Sequence, residues 1–475
     1  MKKAKVLLCA ALCTAMLVSC NLFPSINQEK PIDDIDIPLE KDSFYAQNMA
    51  NEKYYKVKAE TLYEGEKCVI WAEKSANITQ RTAIEIAKVY DTIIRPRIVN
   101  TFSKKDFYTN EKAEPFDDML DYANWLAGGN DGKLTILLLD IQDGFTGARN
   151  DSYVAGYFSG NNFYPKGKIS GSNHYSNGRD MIYIDTYPGL RMQPRMVYAT
   201  FAHELQHLIN YVTSRQMRRR PMDTWIDEGL SSRAEYLYLE ENPPEKCEWF
   251  SDDKDGTIAK GNNFFVWDNH REISLAILDD YATVYLFFRW LYLQASAELQ
   301  SHIFLDIAAS VSNDYRAVTD AAKQINPAWV NWENLLGTWL AANYYPRNNY
   351  GYTGDDYLQK TIKVKPITGQ TISLYPGEGV YSIINNSFNP DRTSANIYYA
   401  GLAENKTIIG TSPPYTGNVL LTFNANTRNT EADETGCLTG ISPPASQTAA
   451  RNIQTGKLTG FHVIDARDMP ERFKR

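Results

Sequence analysis

The stretch FAHELQHLIN, residues 201–210, contains the pattern HExxH, in which the defined positions are His203, Glu204 and His207. Residues four apart lie on one face of an α-helix, so both imidazoles can point a nitrogen at one metal ion. Glu204 lies next to that face and can reach a water molecule on the metal. The pattern predicts one catalytic zinc ion on this helix, with Glu204 as the general base.

A second stretch, WIDEGLSS at residues 225–232, supplies candidates for a further ligand. Catalytic zinc takes three protein ligands and leaves one position open for water. Glu228 is the predicted third ligand, since a second helix that begins near the first would present its carboxylate. Asp227 and Glu235 are rival ligands. Glu235 shares a helix face with Glu228 and is better suited to a structural bond or to a hydrogen bond to a ligand.

These two motifs resemble those of the zinc peptidases whose third ligand is glutamate, typified by thermolysin and aminopeptidase N. The hyicolysin family of bacterial zinc metallopeptidases is closer still. The resemblance covers roughly residues 60–300 and rests on HELQHLIN at 203–210 and WIDEGLS at 225–231, with support from GYF at 156–158, IYIDT at 182–186 and the helix from Tyr281 to Leu291.

The resemblance implies a zinc-dependent endopeptidase with His203, His207 and Glu228 as ligands and Glu204 as catalytic base. It also implies an α+β fold with a thermolysin- or aminopeptidase-like core, in which a mixed sheet is joined to a helical subdomain. Asn210 and Thr213 stand where metzincins have Gly and His, so the HExxHxxGxxH extension is absent. The GxMEN-like segment that captures a free amine in aminopeptidases is absent too, which favours cleavage within a chain.

The negative charge that develops on the attacked carbonyl oxygen calls for a positioned hydrogen-bond donor. His270 and Tyr281, both after the WIDEG helix, are the candidates. Tyr281 is favoured because it resembles the tyrosine that opens the corresponding helix in the aminopeptidase N group, where it hydrogen-bonds the oxyanion. The alternative is a tyrosine that merely packs, in a chain with 31 tyrosines.

The start of the chain predicts export and a lipid anchor. Lysines at positions 2, 3 and 5 precede a short apolar run from Val6 to Val18, which is too short to span a bilayer and is typical of a signal peptide. The run ends in Leu-Val-Ser-Cys, which resembles a bacterial lipobox cleaved before Cys20, the predicted lipid (palmitate) site. The predicted location is the bacterial cell envelope: the outer membrane, facing the periplasm or the surface, with lipid as the sole membrane anchor. The alternative is an ordinary secretory signal.

Composition and periodicity divide the chain into five regions. The prediction is a signal peptide at 1–19, an acidic proline-containing tether at 20–45, an N-terminal α/β subdomain at 46–190, a helical zinc-binding subdomain at 191–360 and a β-rich C-terminal domain at 361–475. Within them, the run from Leu134 to Ile141 is a predicted buried strand, and residues 144–179 are a predicted long irregular stretch. Cys68, Cys247 and Cys437 are predicted to be buried.

Partners follow from charge and from strand pattern. The 49 basic and 57 acidic side chains give a net charge of −8, which argues against general nucleic-acid binding. A protein or peptide substrate is predicted to add as an extended strand to an edge at Met181–Asp185. Asp140 and Asp143 are weak candidates for Ca²⁺, since paired acids at a strand end are usually just solvated. The alternative function is a non-catalytic binding or adhesin lipoprotein on a peptidase-like scaffold.

Overall fold

The structure, a computed structural model, describes residues 42–103, 133–147, 152–164, 166–217, 220–244, 246–247, 264–265, 276–366, 373–390, 394–404, 406–410, 413–428, 433–434 and 461–465. The signal peptide, Cys20, most of the predicted tether, His270 and Cys437 lie outside these ranges. The chain forms two compact units: Met1–Pro221 with Thr459–Arg475, and Met222–Leu458.

A mixed seven-stranded sheet forms the body of the first unit. Its strands are β1 (Ser43–Gln47), β2 (Tyr54–Glu64), β3 (Cys68–Glu73), β4 (Leu134–Leu139), β5 (Ser152–Phe158), β8 (Met181–Asp185) and β15 (Phe461–Asp465), in the order β1-β2-β3-β4-β8-β5-β15. The pairs β3/β4 and β4/β8 are parallel and the other four are antiparallel. A short hairpin of β6 (Gly167–Lys168) and β7 (Tyr175–Ser176) accompanies it.

The centre of this sheet is fully buried. Every residue of β4 (LTILLL) and of β8 (MIYID) is buried, as a strand covered on both faces requires. The predicted buried strand at Leu134–Ile141 is therefore confirmed over Leu134–Leu139, where β4 ends. The prediction that Met181–Asp185 forms an edge is wrong, because β8 is hydrogen-bonded to β4 on one side and to β5 on the other.

The predicted irregular stretch at 144–179 contains a core strand. β5 (SYVAGYF) pairs with both β8 and β15, and Tyr153 and Ala155 pack with Phe145 and Met196. Glycine, serine and tyrosine occur both in strands and in loops, so the local sequence does not distinguish the two. Pairing with the buried strand β8 stabilises the extended conformation of β5. The prediction of an irregular stretch is therefore wrong at β5.

The α-helices in the described part of the first unit are α1 (Gln80–Val89), α2 (Arg95–Phe102) and α3 (Pro194–Met217). Thr79 caps α1 by accepting a hydrogen bond from Thr82 N, and Ala83, Ile86 and Ala87 face the core, as their helical spacing predicts. α3 lies against β5 and β8 and against α2.

The second unit begins with helices around an aromatic core. They are α4 (Thr224–Leu239), α5 (Ala276–Gln294), α6 (Ala297–Gln300), α7 (Ile303–Ala308), α8 (Tyr315–Ile325), α9 (Trp332–Tyr344) and α10 (Asp356–Thr361). The rings of Trp225, Phe264, Phe287 and Trp332 contact one another with centroids 5.2–6.1 Å apart, the range of favourable edge-to-face contacts.

An antiparallel sheet completes the second unit. Its strands are β10 (Gly379–Phe388), β11 (Ile397–Ala403), β12 (Lys406–Gly410) and β13 (Tyr415–Asn424), in the order β10-β13-β11-β12, and β9 (Ser373–Leu374) pairs separately with β14 (Asp433–Glu434). The β-rich domain is predicted to extend to residue 475. In the structure, β15 belongs instead to the sheet of the first unit. Long-range pairing of this kind leaves no periodic signal in the sequence.

Two further observations concern cysteines and hydropathy. Cys68 and Cys247 are free and buried, as predicted. In the part of the chain that the structure describes, no helix combines the length and apolarity needed to cross a bilayer.

Candidate metal centre

The centre of α3 is buried on all sides. Every residue from Thr200 to Asn210 is buried, and His203 and Glu204 are 0% exposed. A surface helix would show one polar face, so this stretch is a core helix that carries polar side chains inward. Burial of such groups is unfavourable unless they are hydrogen-bonded or bind a ligand.

The two histidines converge on one point. His203 Nε2 and His207 Nε2 lie 3.1 Å apart, and their rings meet at 78° with centroids 4.7 Å apart. Two nitrogens that bind one tetrahedral zinc at about 2.0–2.1 Å stand roughly 3.3 Å from each other. The spacing of the pair therefore fits two ligands of one zinc ion.

Glu228 lies in the first turns of α4 and is 1% exposed. His203, His207 and Glu228 each offer a ligand atom, and these atoms all lie within 4.8 Å of one another. Two imidazoles and one carboxylate are the ligand set of a catalytic zinc site with an open position. The donor chemistry of the group thus fits the metal that the sequence predicts.

Glu235, the rival carboxylate, is engaged by a lysine. Lys246 Nζ donates to Glu235 Oε1 at 2.8 Å and to Oε2 at 2.9 Å, and it lies 3.2 Å from Ser232 Oγ. Glu235 is 0% exposed and Lys246 9%, so the ion pair is buried. A buried carboxylate whose two oxygens both accept from one lysine is an internal ion pair. This arrangement agrees with the structural role predicted for Glu235.

The remaining predicted site residues are placed as follows. Glu204 is buried on α3, next to His203. Tyr281 is 4% exposed and lies in the second turn of α5, which begins at Ala276, so the prediction that Tyr281 opens this helix is wrong. Its role as an oxyanion donor stays a prediction, as does that of His270.

The acids proposed for calcium have local partners. Asp143 Oδ1 accepts from Phe145 N at 2.8 Å and its Oδ2 from Val154 N at 2.7 Å, while Asp140 lies in an acidic recess that also contains Glu73. Burial raises the pKa of Asp143 and of Asp140. Among the described residues, the group of three or more side chains able to hold a metal is the His203–His207–Glu228 group. Calcium binding stays a prediction.

The strand that borders the metal helix was not identified from sequence. β5 packs against α3, and a Cβ on Gly156 would lie 2.7 Å from Thr200 Cγ2. Glycine at this position allows strand and helix to approach closely. The alternating pattern of SYVAGYF was the available signal.

Comparison with known proteins supports a metalloprotease. No protein-family profile matches the chain. The chain is 29% identical over 343 residues to the neutral metalloprotease ShpI of Staphylococcus hyicus, an alignment that covers 70% of this chain and 69% of that protein. The likeness, together with the buried His-His-Glu group, supports the predicted metallopeptidase and a protein substrate, and the mixed α+β fold is compatible with a peptidase core.

Proposed function

We propose that the chain is a zinc-dependent endopeptidase that hydrolyses proteins outside the cytoplasm. The observation that carries this proposal is the convergence of His203 Nε2 and His207 Nε2, 3.1 Å apart, in a group completed by Glu228. The similarity to a neutral metalloprotease adds support, and the proposal that this chain cleaves proteins rests on that similarity.

His203, His207 and Glu228 would hold the metal through two neutral imidazoles and one carboxylate. A zinc ion there would supply Lewis-acid chemistry, polarising the scissile carbonyl and lowering the pKa of water. Glu204 accepts the proton of the attacking water and delivers it to the leaving nitrogen. The buried surroundings of α3 exclude bulk water, which strengthens each electrostatic interaction at the site.

The test of this function compares one buried glutamate with an exposed one. Glu204→Gln is nearly isosteric and is expected to keep zinc while casein cleavage falls by about 10²–10⁴-fold, the usual range for a general base. The control is Glu85→Gln on the exposed side of α1, which should change neither property. Metal analysis and cleavage are measured on the same preparations, with and without a zinc chelator.

Two outcomes would contradict the proposal. Undiminished cleavage by zinc-loaded Glu204→Gln would remove Glu204 from the mechanism. Zinc without any chelator-sensitive cleavage would favour the binding lipoprotein instead. A peptide blocked at both ends distinguishes the endopeptidase from an aminopeptidase, because only an internal cut consumes it.

We also propose that Cys20 carries lipid and holds the protein at the bacterial envelope. The support is the Leu-Val-Ser-Cys sequence after a short apolar run. Cys20→Ser should abolish palmitate labelling and release the protein from membranes, whereas Cys68→Ser should leave labelling unchanged. Persistent labelling of the Cys20→Ser variant would contradict the lipobox.

A further inference from the structure

Strand β15 covers the outer edge of the strand that borders the metal helix. Phe461 pairs with Tyr157, His462 with Gly156, Val463 with Val154 and Asp465 with Ser152, all antiparallel. β15 is the last strand in the sheet order, so β5 lies between β8 and β15. More than 300 residues separate the paired segments along the chain.

The covered edge runs beside the zinc-binding motif. Gly156 lies against Thr200 of α3, and the Phe158 ring lies 5.6 Å from the ring of Tyr211. His203, Glu204 and His207 lie between Thr200 and Tyr211 on the same helix. The second half of β5 therefore contacts α3 at residues that lie before and after the two histidines in the helix.

An endopeptidase must hold an extended stretch of substrate next to its metal. Adding that stretch as a strand to a sheet edge satisfies its backbone whatever its side chains are. With β15 in place, a substrate strand would have to add outside it, one strand spacing of about 4.8 Å farther from β5. The edge of β5 itself becomes available when β15 leaves.

β15 has the features of a strand that can leave. It is five residues long and pairs on one side with β5, and its ladder is interrupted between His462 and Val463 by a bulge in β5 that leaves Ala155 unpaired with β15. Its departure leaves β5 paired to buried β8, so the remaining six strands keep their hydrogen bonds. By contrast, the strands at the middle of the sheet are held on both sides.

We propose that Phe461–Asp465 is an internal competitor that occupies the substrate-binding edge of β5 and must be displaced by an extended polypeptide substrate. This inference rests on the proposed peptidase function. The occupant is antiparallel to β5, so a displacing substrate of the same polarity would form the same ladder. The protein's own chain thereby weakens the apparent binding of substrate.

The test breaks β15 in the full-length protein. Proline at both Val463 and Ile464 removes two successive backbone N–H groups, one of which faces β5, because successive N–H groups in a strand point to opposite sides. If β15 occupies the edge about 90% of the time, its removal should lower the apparent KM about tenfold and leave kcat unchanged.

The matched control is Ala46→Pro in β1, at the opposite end of the strand order. Tyr45 N and Gln47 N donate to Asn177 and Tyr157 side chains, so the N–H of Ala46 faces β2. Ala46→Pro removes a ladder hydrogen bond without touching β15, and it should leave KM for a blocked peptide unchanged. An equal fall of KM in both proline variants would overturn the proposal, as would an unchanged KM in a folded double-proline variant.

Hydrogen exchange tests the same displacement without breaking the strand. In zinc-loaded Glu204→Gln, a saturating substrate peptide should raise exchange at residues 461–465 and keep residues 152–158 protected. Protection that persists at 461–465 while the peptide is bound would overturn the proposal, even if the proline variant fails to fold.

A synthetic peptide of residues 459–467 supplies a third measurement. It should inhibit the double-proline variant competitively, and a scrambled peptide should not. Equal cleavage by wild type and variant defeats the competitor alone, whereas zinc-loaded protein that cleaves nothing defeats the peptidase function and the inference with it.

Discussion

The second and the fourth turns of α4 each bury one glutamate, Glu228 and Glu235, seven residues apart on one helix face. The structure groups Glu228 with His203 and His207, whereas Glu235 accepts two hydrogen bonds from Lys246. Both carboxylates are withdrawn from water, so each requires positive charge or hydrogen bonds nearby. The two carboxylates differ in the partner that the tertiary fold places beside them, and the spacing along the helix does not predict that partner.

The largest expected effect is a difference in zinc affinity between variants of the two glutamates. Glu228→Gln removes a proposed ligand, and the zinc affinity should fall by more than the roughly 10–100-fold typical of residues that only support a ligand. The matched change at the fourth turn is Glu235→Leu with Lys246→Met, which removes both charges of the pair. Chelator competition measures both proteins. Loss of zinc in the second variant with retention in the first would reverse the two roles.

For the free energy of unfolding, the expected order is reversed, with the larger effect at Glu235. Glu235→Gln leaves the Lys246 ammonium buried without its counter-charge, and the free energy of unfolding should fall by about 3–5 kcal/mol. Replacing both partners with Leu and Met should recover most of that loss, because no buried charge remains. Urea unfolding at pH 7 measures the three proteins. If the double variant is as unstable as the single one, the ion pair is not the cause.

A third prediction concerns the residue that precedes the first turn. Burial, with the nearby Asp314 carboxylate, raises the pKa of Asp223 from 3.8 to about 6. The folded protein therefore binds a proton between about pH 4 and pH 6 that the unfolded chain releases, so stability falls as the pH rises through this window. Asp223→Asn should be more stable than wild type by up to about 3 kcal/mol at pH 8, an advantage that disappears near pH 4.

The control for Asp223 is Asp320→Asn on the exposed face of α8. Thermal unfolding from pH 4 to pH 8 should give parallel curves for this variant and the wild type. A pH-independent difference between Asp223→Asn and wild type would show that the titration of Asp223 does not contribute.

The smallest expected effect tests how closely the second turn of α4 packs against α5. A Cβ on Gly229, next to Glu228, would collide with the Phe288 ring of α5. Gly229→Ala should cost about 1–3 kcal/mol of stability through overpacking. In a Phe288→Leu background the same change should cost less, since the ring is smaller. An equal cost in both backgrounds would mean that the Phe288 contact is not what requires glycine.

Much of the local structure followed from the sequence. The HExxH spacing predicted that His203 and His207 share a helix face, and their Nε2 atoms lie 3.1 Å apart. The apolar run after residue 133 predicted the buried strand β4, and its six residues are all buried. These features depend on neighbours within one helix turn or one strand, which a linear pattern records.

The sequence by itself determined the helix that carries HExxH, the side chains able to bind a metal and the buried central strand. Only the tertiary structure decided which glutamate stands with the histidines, that β8 is interior, that β5 is a core strand and that β15 lies on its edge. The physical reason is that a β-ladder or an ion pair joins residues that are far apart in the chain. The sequence around one partner is the same whether or not the fold brings the other partner close to it. Lys246 and Phe461–Asp465 carry no motif, yet Lys246 pairs with Glu235 of α4 and Phe461–Asp465 pairs with the edge of β5.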